Sequence, residues 1–269
     1  MNRENILIEA DELLKKVGTG NIRIYDAAIT DDQYVQGHIP GAAYFDHAKF
    51  SEPNGKYEYT ILPAAGLATP IGDIGISPDT EVVFYAWGMI PYAARAWWIL
   101  HYAGHNNVRV LNGGLAAWRN AGGQLEQEAR HYPPARFQAN FRSDMFVNKE
   151  QVQDALKDDT VSVVDVLPPI SYEGAHITGS SCISCLDLMY DMDSFLPNDQ
   201  LASFLQETTQ SRRIITYCGG GIAAALSAMA HLMVGQENVA VYDGSLYEWI
   251  GENLPVTGTG KWEFWKMNA

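Results

Sequence analysis

The chain of 269 residues carries 18 Lys and Arg against 32 Asp and Glu, a formal net charge of −14, and is 47% hydrophobic. That length and apolar content support one large or two ordinary domains with substantial cores. The acidity argues against nucleic acid and anionic lipid as partners, because both reward basic surface. No apolar run approaches the roughly 20 residues of a membrane span, and the stretch after Met1, interrupted by Glu4, Glu9 and Asp11, does not read as a signal peptide. Three cysteines in a chain of this size suit a reducing compartment better than a disulfide-stapled scaffold, so a cytoplasmic location is expected.

In chain order, Ile22-Arg23-Ile24-Tyr25 predicts a strand ending at Asp26, and Gly37-His38-Ile39-Pro40-Gly41-Ala42 a turn. A second strand over 82–85 runs into a short loop from Ala86. Residues 92–103 then predict a largely buried helix that Gly104 is placed to stop. A strand over 108–111 leads to Asn112-Gly113-Gly114 and then Trp118, and residues 123–147, with Pro133-Pro134, read as a linker. Beyond it Asn148 or Asp144 is placed to cap a helix over 150–156.

The same punctuation then returns. A strand over 161–164 ends at Asp165, Ala175-His176-Ile177-Thr178-Gly179-Ser180 echoes the first turn, and Ile214-Ile215-Thr216-Tyr217 echoes the second strand. A helix over 222–234 stops at Gly235, and a strand over 239–242 leads to Asp243-Gly244-Ser245 and then Trp249. Corresponding features lie roughly 130–140 residues apart, a period that means a duplicated domain and not a solenoid repeat. Alternating strands and helices predict an α/β fold with a mainly parallel sheet and helices on both faces in each half. Ligands of such sheets bind at the loops that follow the carboxyl ends of the strands.

One of those loops carries the chemistry. After Tyr217 the chain reads Cys218-Gly219-Gly220-Gly221-Ile222-Ala223-Ala224. A strand, a tight glycine loop and a helix N-terminus set a thiol against a row of free backbone N–H groups, which stabilises a thiolate without adjacent basic side chains. The glycines permit the positive φ values of a tight curl, and the helix end contributes ~0.3–1 kcal/mol toward a nearby anion. An inert core cysteine is the competing reading, but three successive glycines serve no packing purpose. A cysteine phosphatase would place an arginine six residues after the nucleophile to grip its dianion; Ala224 stands there instead.

With the duplication and the cysteine loop together, the chain resembles the tandem-domain rhodanese sulfurtransferases. The resemblance rests on Gly37-His38-Ile39-Pro40-Gly41-Ala42, on Asn112-Gly113-Gly114 with Trp118, on Asp243-Gly244-Ser245 with Trp249, and on the loop from Cys218. It implies two rhodanese-like domains: residues 1–130, catalytically silent with Ala86 at the cysteine position, and 145–269, carrying the active cysteine. It further implies transfer of a sulfane sulfur from a small anionic donor, thiosulfate or 3-mercaptopyruvate, to cyanide or to a thiol, a protein thiol included. The carrier is a Cys218 persulfide cradled by Gly219, Gly220, Gly221, Ile222 and Ala223. The alternative is a protein persulfide carrier with little turnover on small donors. Neither a cofactor nor a metal is called for, and neither nucleic acid nor membrane is an expected partner.

Several positions depart from the family pattern. Gly219 and Gly220 replace both the basic residues of thiosulfate-preferring members and the serine of mercaptopyruvate-preferring ones, and Ala223 stands where threonine is frequent. Ser171 stands where many members place an arginine aimed at substrate, leaving Arg95, Arg119 and Arg142 as other cation suppliers. His38, His176, Asp26 and Asp165 read as turn-holding residues. Cys182-Ile183-Ser184-Cys185 offers only two of the four ligands of a structural zinc site and reads as core. Trp97-Trp98 reads as core, and Trp262-Glu263-Phe264-Trp265 as a docked tail.

Overall fold

The structure is a computed structural model describing residues 1–263 and Lys266; Phe264 and Trp265 of the expected tail lie outside the described residues. The chain forms two units. The first comprises Met1–Pro53, Ile61–Ser143 and Asp191–Phe195, and the second Asn54–Thr60, Asp144–Tyr190 and the chain from Leu196 onward. Two short segments thus pack with the unit opposite to the rest of their half.

In the first unit, β1 (Leu7–Ile8), β2 (Ile22–Asp26), β3 (Ala43–Tyr44), β4 (Glu81–Tyr85) and β5 (Val108–Leu111) form one sheet in the order β1-β5-β4-β2-β3, with every pairing parallel. In the second, β6 (Phe146–Val147), β7 (Val161–Asp165), β9 (Ser181–Cys182), β10 (Arg213–Tyr217) and β11 (Val239–Tyr242) form a parallel sheet in the order β6-β11-β10-β7-β9. The order is that of the first sheet, so the duplication read in the sequence is a duplication of topology. A small antiparallel pair, β8 (Ala175–Ile177) with β12 (Val256–Gly258), completes the second unit.

The central strands read as continuous apolar runs because parallel strands bury both faces: Val82 to Tyr85 and Ile214 to Tyr217 are all buried. Helix Ile90–Tyr102 buries every residue from Ala93 to His101, Trp97 and Trp98 fully, as an all-round apolar helix must. It begins two residues earlier than the sequence reading, because Pro91 sits in the first turn, where its missing N–H costs nothing. It ends before Gly104 at φ +97°. A Cβ at Gly104 would lie 2.4 Å from the Asn140 carbonyl oxygen, so the glycine also lets the linker lie close. Residues 131–142 of that linker have no regular structure. They run along the first unit, with the Ala135 N–H donating to Gly72 O at 2.8 Å and the Asn140 N–H to Ala103 O at 2.9 Å.

The second unit opens with a helix capped reciprocally. Asn148 Oδ1 accepts the Gln151 N–H at 2.9 Å and Gln151 Oε1 accepts the Asn148 N–H at 3.0 Å, starting helix Lys149–Ala155. Replacing Asn148 with alanine removes this cap. The expected cost is about 1 kcal/mol, seen as a lower urea midpoint with an unchanged m value.

Candidate active site

The duplicated motifs hold one loop-bearing corner in each unit. Tyr85 and Tyr217, last residues of β4 and β10, point their hydroxyls at the Gly37-His38-Ile39 and Ala175-His176-Ile177 turns: the Tyr85 oxygen accepts the Ile39 N–H at 3.3 Å, and the Tyr217 oxygen the Ile177 N–H at 3.0 Å. The turn histidines bond back to the chain. His38 Nδ1 pairs with Tyr34 O at 2.9 Å and His176 Nδ1 with Tyr172 O at 2.7 Å, and each ring stacks on that same tyrosine. Both histidines are therefore built into turns in the same way.

Asp26 and Asp165, fully buried at the ends of β2 and β7, accept the N–H groups of Ala28 at 3.0 Å and Leu167 at 2.9 Å. Burial pushes their carboxyls up to about 6 and about 7, against the pull of those N–H groups.

Cys218 follows β10, the central strand, at its carboxyl end and is 3% exposed. Helix Ser245–Gly251 grips the loop from one side. The Leu246 N–H donates to Cys218 O and the Tyr247 N–H to Gly219 O, both at 3.0 Å. In a trans peptide the carbonyl of one residue and the N–H of the next point in opposite directions. Fixing the carbonyls of 218 and 219 on that helix therefore turns the N–H groups of Gly219 and Gly220 away from it. Gly221, at φ +79°, caps helix Ile222–Met233, whose first N–H groups are orphaned by helix geometry. Among the described residues, the N–H groups of Gly219, Gly220, Gly221, Ile222 and Ala223 donate to no protein acceptor. The result is a row of backbone donors at the positive end of a 12-residue helix, beside a thiol.

The triple glycine works differently from the sequence expectation. Only Gly221 takes a left-handed φ. A Cβ at Gly220 would meet the Tyr247 ring at 3.4 Å and the Glu58 carbonyl oxygen at 3.6 Å, ordinary contact distances. Space does not require glycine there. The curl comes from the grip of helix Ser245–Gly251.

Ser245 is the residue sequence reasoning missed. It is fully buried and sits at φ +49°, a conformation that costs a non-glycine residue about 1–2 kcal/mol. Its hydroxyl accepts the Cys218 N–H at 3.1 Å and donates to Tyr242 O at 2.8 Å. The signal available in the sequence was its alignment with Gly114, a position that needs φ above zero in both halves.

Other expected residues fall elsewhere. Ser171 is fully buried within helix Pro169–Gly174 instead of facing open space as a stand-in for arginine. The Arg119 guanidinium stacks over Trp87 at 4.9 Å, and Arg142 donates to His101 O and Asn106 Oδ1, all within the first unit. Arg95 is 2% exposed. Cys182 and Cys185 are free thiols. Burial, with Asp165 adding, pushes Cys182 up to about 11; burial, with Cys218 adding, pushes Cys185 up to about 12. Both are poor redox thiols at neutral pH. Among the described residues, no three His, Cys, Asp or Glu side chains gather where they could hold a metal ion, and no helix is long and apolar enough to cross a membrane.

Comparison with known proteins gives the family and the fold. The rhodanese-like domain family matches residues 9–121 and again 148–252, and the chain belongs to that family. It is 31% identical over 266 residues to the thiosulfate sulfurtransferase of Bos taurus, covering 90% of this chain and 89% of the relative. It is 27% identical over 271 residues to the 3-mercaptopyruvate sulfurtransferase of Escherichia coli (strain K12), covering 93% and 96%. Among solved structures, SseA from Escherichia coli, described as a 3-mercaptopyruvate sulfotransferase with the rhodanese fold, superposes with a TM-score of 0.81 at 27% identity, over 89% of this chain and 98% of that one.

Two predictions follow from the local geometry. Ser245→Ala leaves the buried Cys218 N–H unpartnered at a cost of ~1–3 kcal/mol, whereas Ser245→Gly offsets part of that loss by releasing the strained φ. Urea unfolding should therefore rank Gly above Ala, and equal stabilities would remove the strain from the account. The second concerns Asp165, whose folded carboxyl titrates above its unfolded value of 3.8. The folded state then holds the extra proton between about 4 and about 7, so stability falls as pH rises through that window. Asp165→Asn should flatten this fall when unfolding is measured between pH 5 and pH 8.

Proposed function

We propose that the protein is a sulfurtransferase that carries a sulfane sulfur on Cys218. The observation that carries this reading is the row of N–H groups from Gly219 to Ala223, which face no protein acceptor among the described residues and sit beside a thiol at a helix N-terminus. Such a row stabilises an anionic sulfur in two successive forms, the thiolate and the persulfide, without a side chain that must change protonation.

The steps balance simply. The Cys218 thiolate attacks the outer sulfur of the donor, a sulfur–sulfur bond forms, and the donor's bond to that sulfur breaks. From thiosulfate, sulfite leaves with the electron pair. From 3-mercaptopyruvate, the pyruvate enolate leaves and takes a proton. A thiolate or cyanide then attacks the terminal sulfur, and the Cys218 thiolate is regenerated. Donors of this type are supported by the thiosulfate and 3-mercaptopyruvate sulfurtransferases among the relatives.

We read the second unit as the catalytic half and the first, with Ala86 in place of the thiol, as silent. The loop brings no cationic side chain to the site: its residues are glycine, isoleucine and alanine. This favours recognition of the donor through its reacting sulfur over recognition of its anionic tail. The same bareness supports a second reading, a persulfide carrier that receives sulfur from another protein and turns over small donors slowly.

Incubation with thiosulfate or 3-mercaptopyruvate should leave a single extra sulfur on the intact protein by mass spectrometry, removed by cyanide and absent in Cys218→Ser. No adduct from either donor, combined with rapid loading from a protein persulfide, would replace the enzyme reading with the carrier.

A further inference from the structure

The loop of the first unit is occupied. Ala86 stands at the position of Cys218, and Gly88, Met89 and Ile90 at those of Gly220, Gly221 and Ile222, in front of the 13-residue helix Ile90–Tyr102. The second-unit N–H groups meet no protein acceptor among the described residues. Two of their first-unit counterparts, at Gly88 and Ile90, are taken by the segment Asp191–Phe195. The Gly88 N–H donates to Asp193 Oδ2 at 3.1 Å and the Ile90 N–H to Met192 O at 2.7 Å. From the neighbouring turn the Gly113 N–H donates to Asp193 O at 2.8 Å, and Asn112 Oδ1 accepts the Phe195 N–H at 3.0 Å.

The Asp193 carboxyl itself lies in the loop. Its Oδ1 is buried and accepts no hydrogen bond among the described residues. Burial pushes the group up to about 6, opposed by the Gly88 N–H and, more weakly, the Met89 N–H, while Asp191 adds to the rise. Gly114 leaves the room: a Cβ there would lie 3.3 Å from the Asp193 carboxyl carbon and 2.6 Å from Ala86 O. The equivalent position in the other unit holds Ser245. A carboxylate oxygen thus takes the Gly88 N–H, the counterpart of the Gly220 N–H that the second unit presents unfilled.

We propose that the loop from Ala86 to Ile90 is a retained anion cradle whose resident ligand is the Asp193 carboxylate, and that small tetrahedral oxyanions bind there once that carboxylate is removed. The first unit is then silent for two independent reasons: it lacks the thiol, and its loop donors are already engaged, the Gly88 N–H by the Asp193 carboxylate and the Ile90 N–H by the Met192 carbonyl. This inference rests on the geometry of the first unit alone, and it stands whether or not Cys218 transfers sulfur.

The test is a sodium sulfate titration at constant ionic strength, followed by amide resonances. In Asp193→Ala, the Gly88 and Met89 amides should shift saturably; in the wild type they should stay still. The Gly220 and Gly221 amides report the second loop separately. Still amides in the variant, or equal shifts in the wild type, overturn the proposal. A second measurement places a thiol in the cradle: in a Cys218→Ser background, Ala86→Cys is alkylated with iodoacetamide at pH 7 and followed by peptide mapping. Adding Asp193→Ala, or Asp193→Val where the alanine variant does not fold, should speed labelling at residue 86 at least tenfold, the equivalent of one unit in thiol acidity. Unchanged labelling in a folded variant overturns it.

Discussion

Two backbone hydrogen bonds govern the second unit: Leu246 N–H to Cys218 O and Tyr247 N–H to Gly219 O. They decide which way the peptide planes of the cysteine loop face. With the carbonyls held by one helix, the N–H groups of the loop are left for the other side, where the start of helix Ile222–Met233 adds its own unpaired donors. Ser245 supports the arrangement from beneath by engaging the Cys218 N–H. The strained φ of that serine and the left-handed φ of Gly221 belong to one arrangement, which leaves a row of unfilled backbone N–H groups beside the Cys218 side chain among the described residues.

Duplication supplies an internal control. Both units use the same sheet order, the same tyrosine bound to a His-Ile turn, and a tryptophan that ties down the chain beyond the last helix: Trp118 Nε1 donates to Gln124 O at 2.8 Å and Trp249 Nε1 to Pro255 O at 2.9 Å. The scaffold of the loop was therefore copied whole. What differs is its occupancy: open donors beside Cys218, and a carboxylate beside Ala86. A net charge of −14 makes any anion site a local construction against the overall field, and backbone donors can build one without adding basic residues.

Much of this was legible from local signals. The β-branched runs ending at Asp26, Tyr85, Asp165 and Tyr217, the glycine stops after both long helices, and the cysteine loop are each written in a few adjacent residues, and each falls where the sequence places it. What escaped is non-local. The packing of Asn54–Thr60 with the second unit and of Asp191–Phe195 with the first depends on pairings across more than 70 residues, and polar loop composition carries no trace of them. Lys56 and Tyr57 both donate to Glu252, at 2.8 and 2.7 Å, a contact that no spacing rule suggests. The burial of Ser171 and the strain at Ser245 likewise appear only when the neighbouring elements are in place. The φ values of Gly219 and Gly220 were misjudged for a related reason: a glycine permits an unusual conformation, and tertiary contacts decide whether it is used.

The central claim is that the loop activates Cys218 through backbone donors, and the three free cysteines of one chain test it directly. Cys218 and Cys185 are almost equally hidden, at 3% and 6% exposure, and Cys182 is the most accessible of the three. Limited alkylation of the native protein with iodoacetamide at pH 7, quantified by peptide mapping, should label Cys218 first, ahead of the more exposed Cys182. Labelling that follows exposure, with Cys182 first and Cys218 as slow as Cys185, would contradict the account.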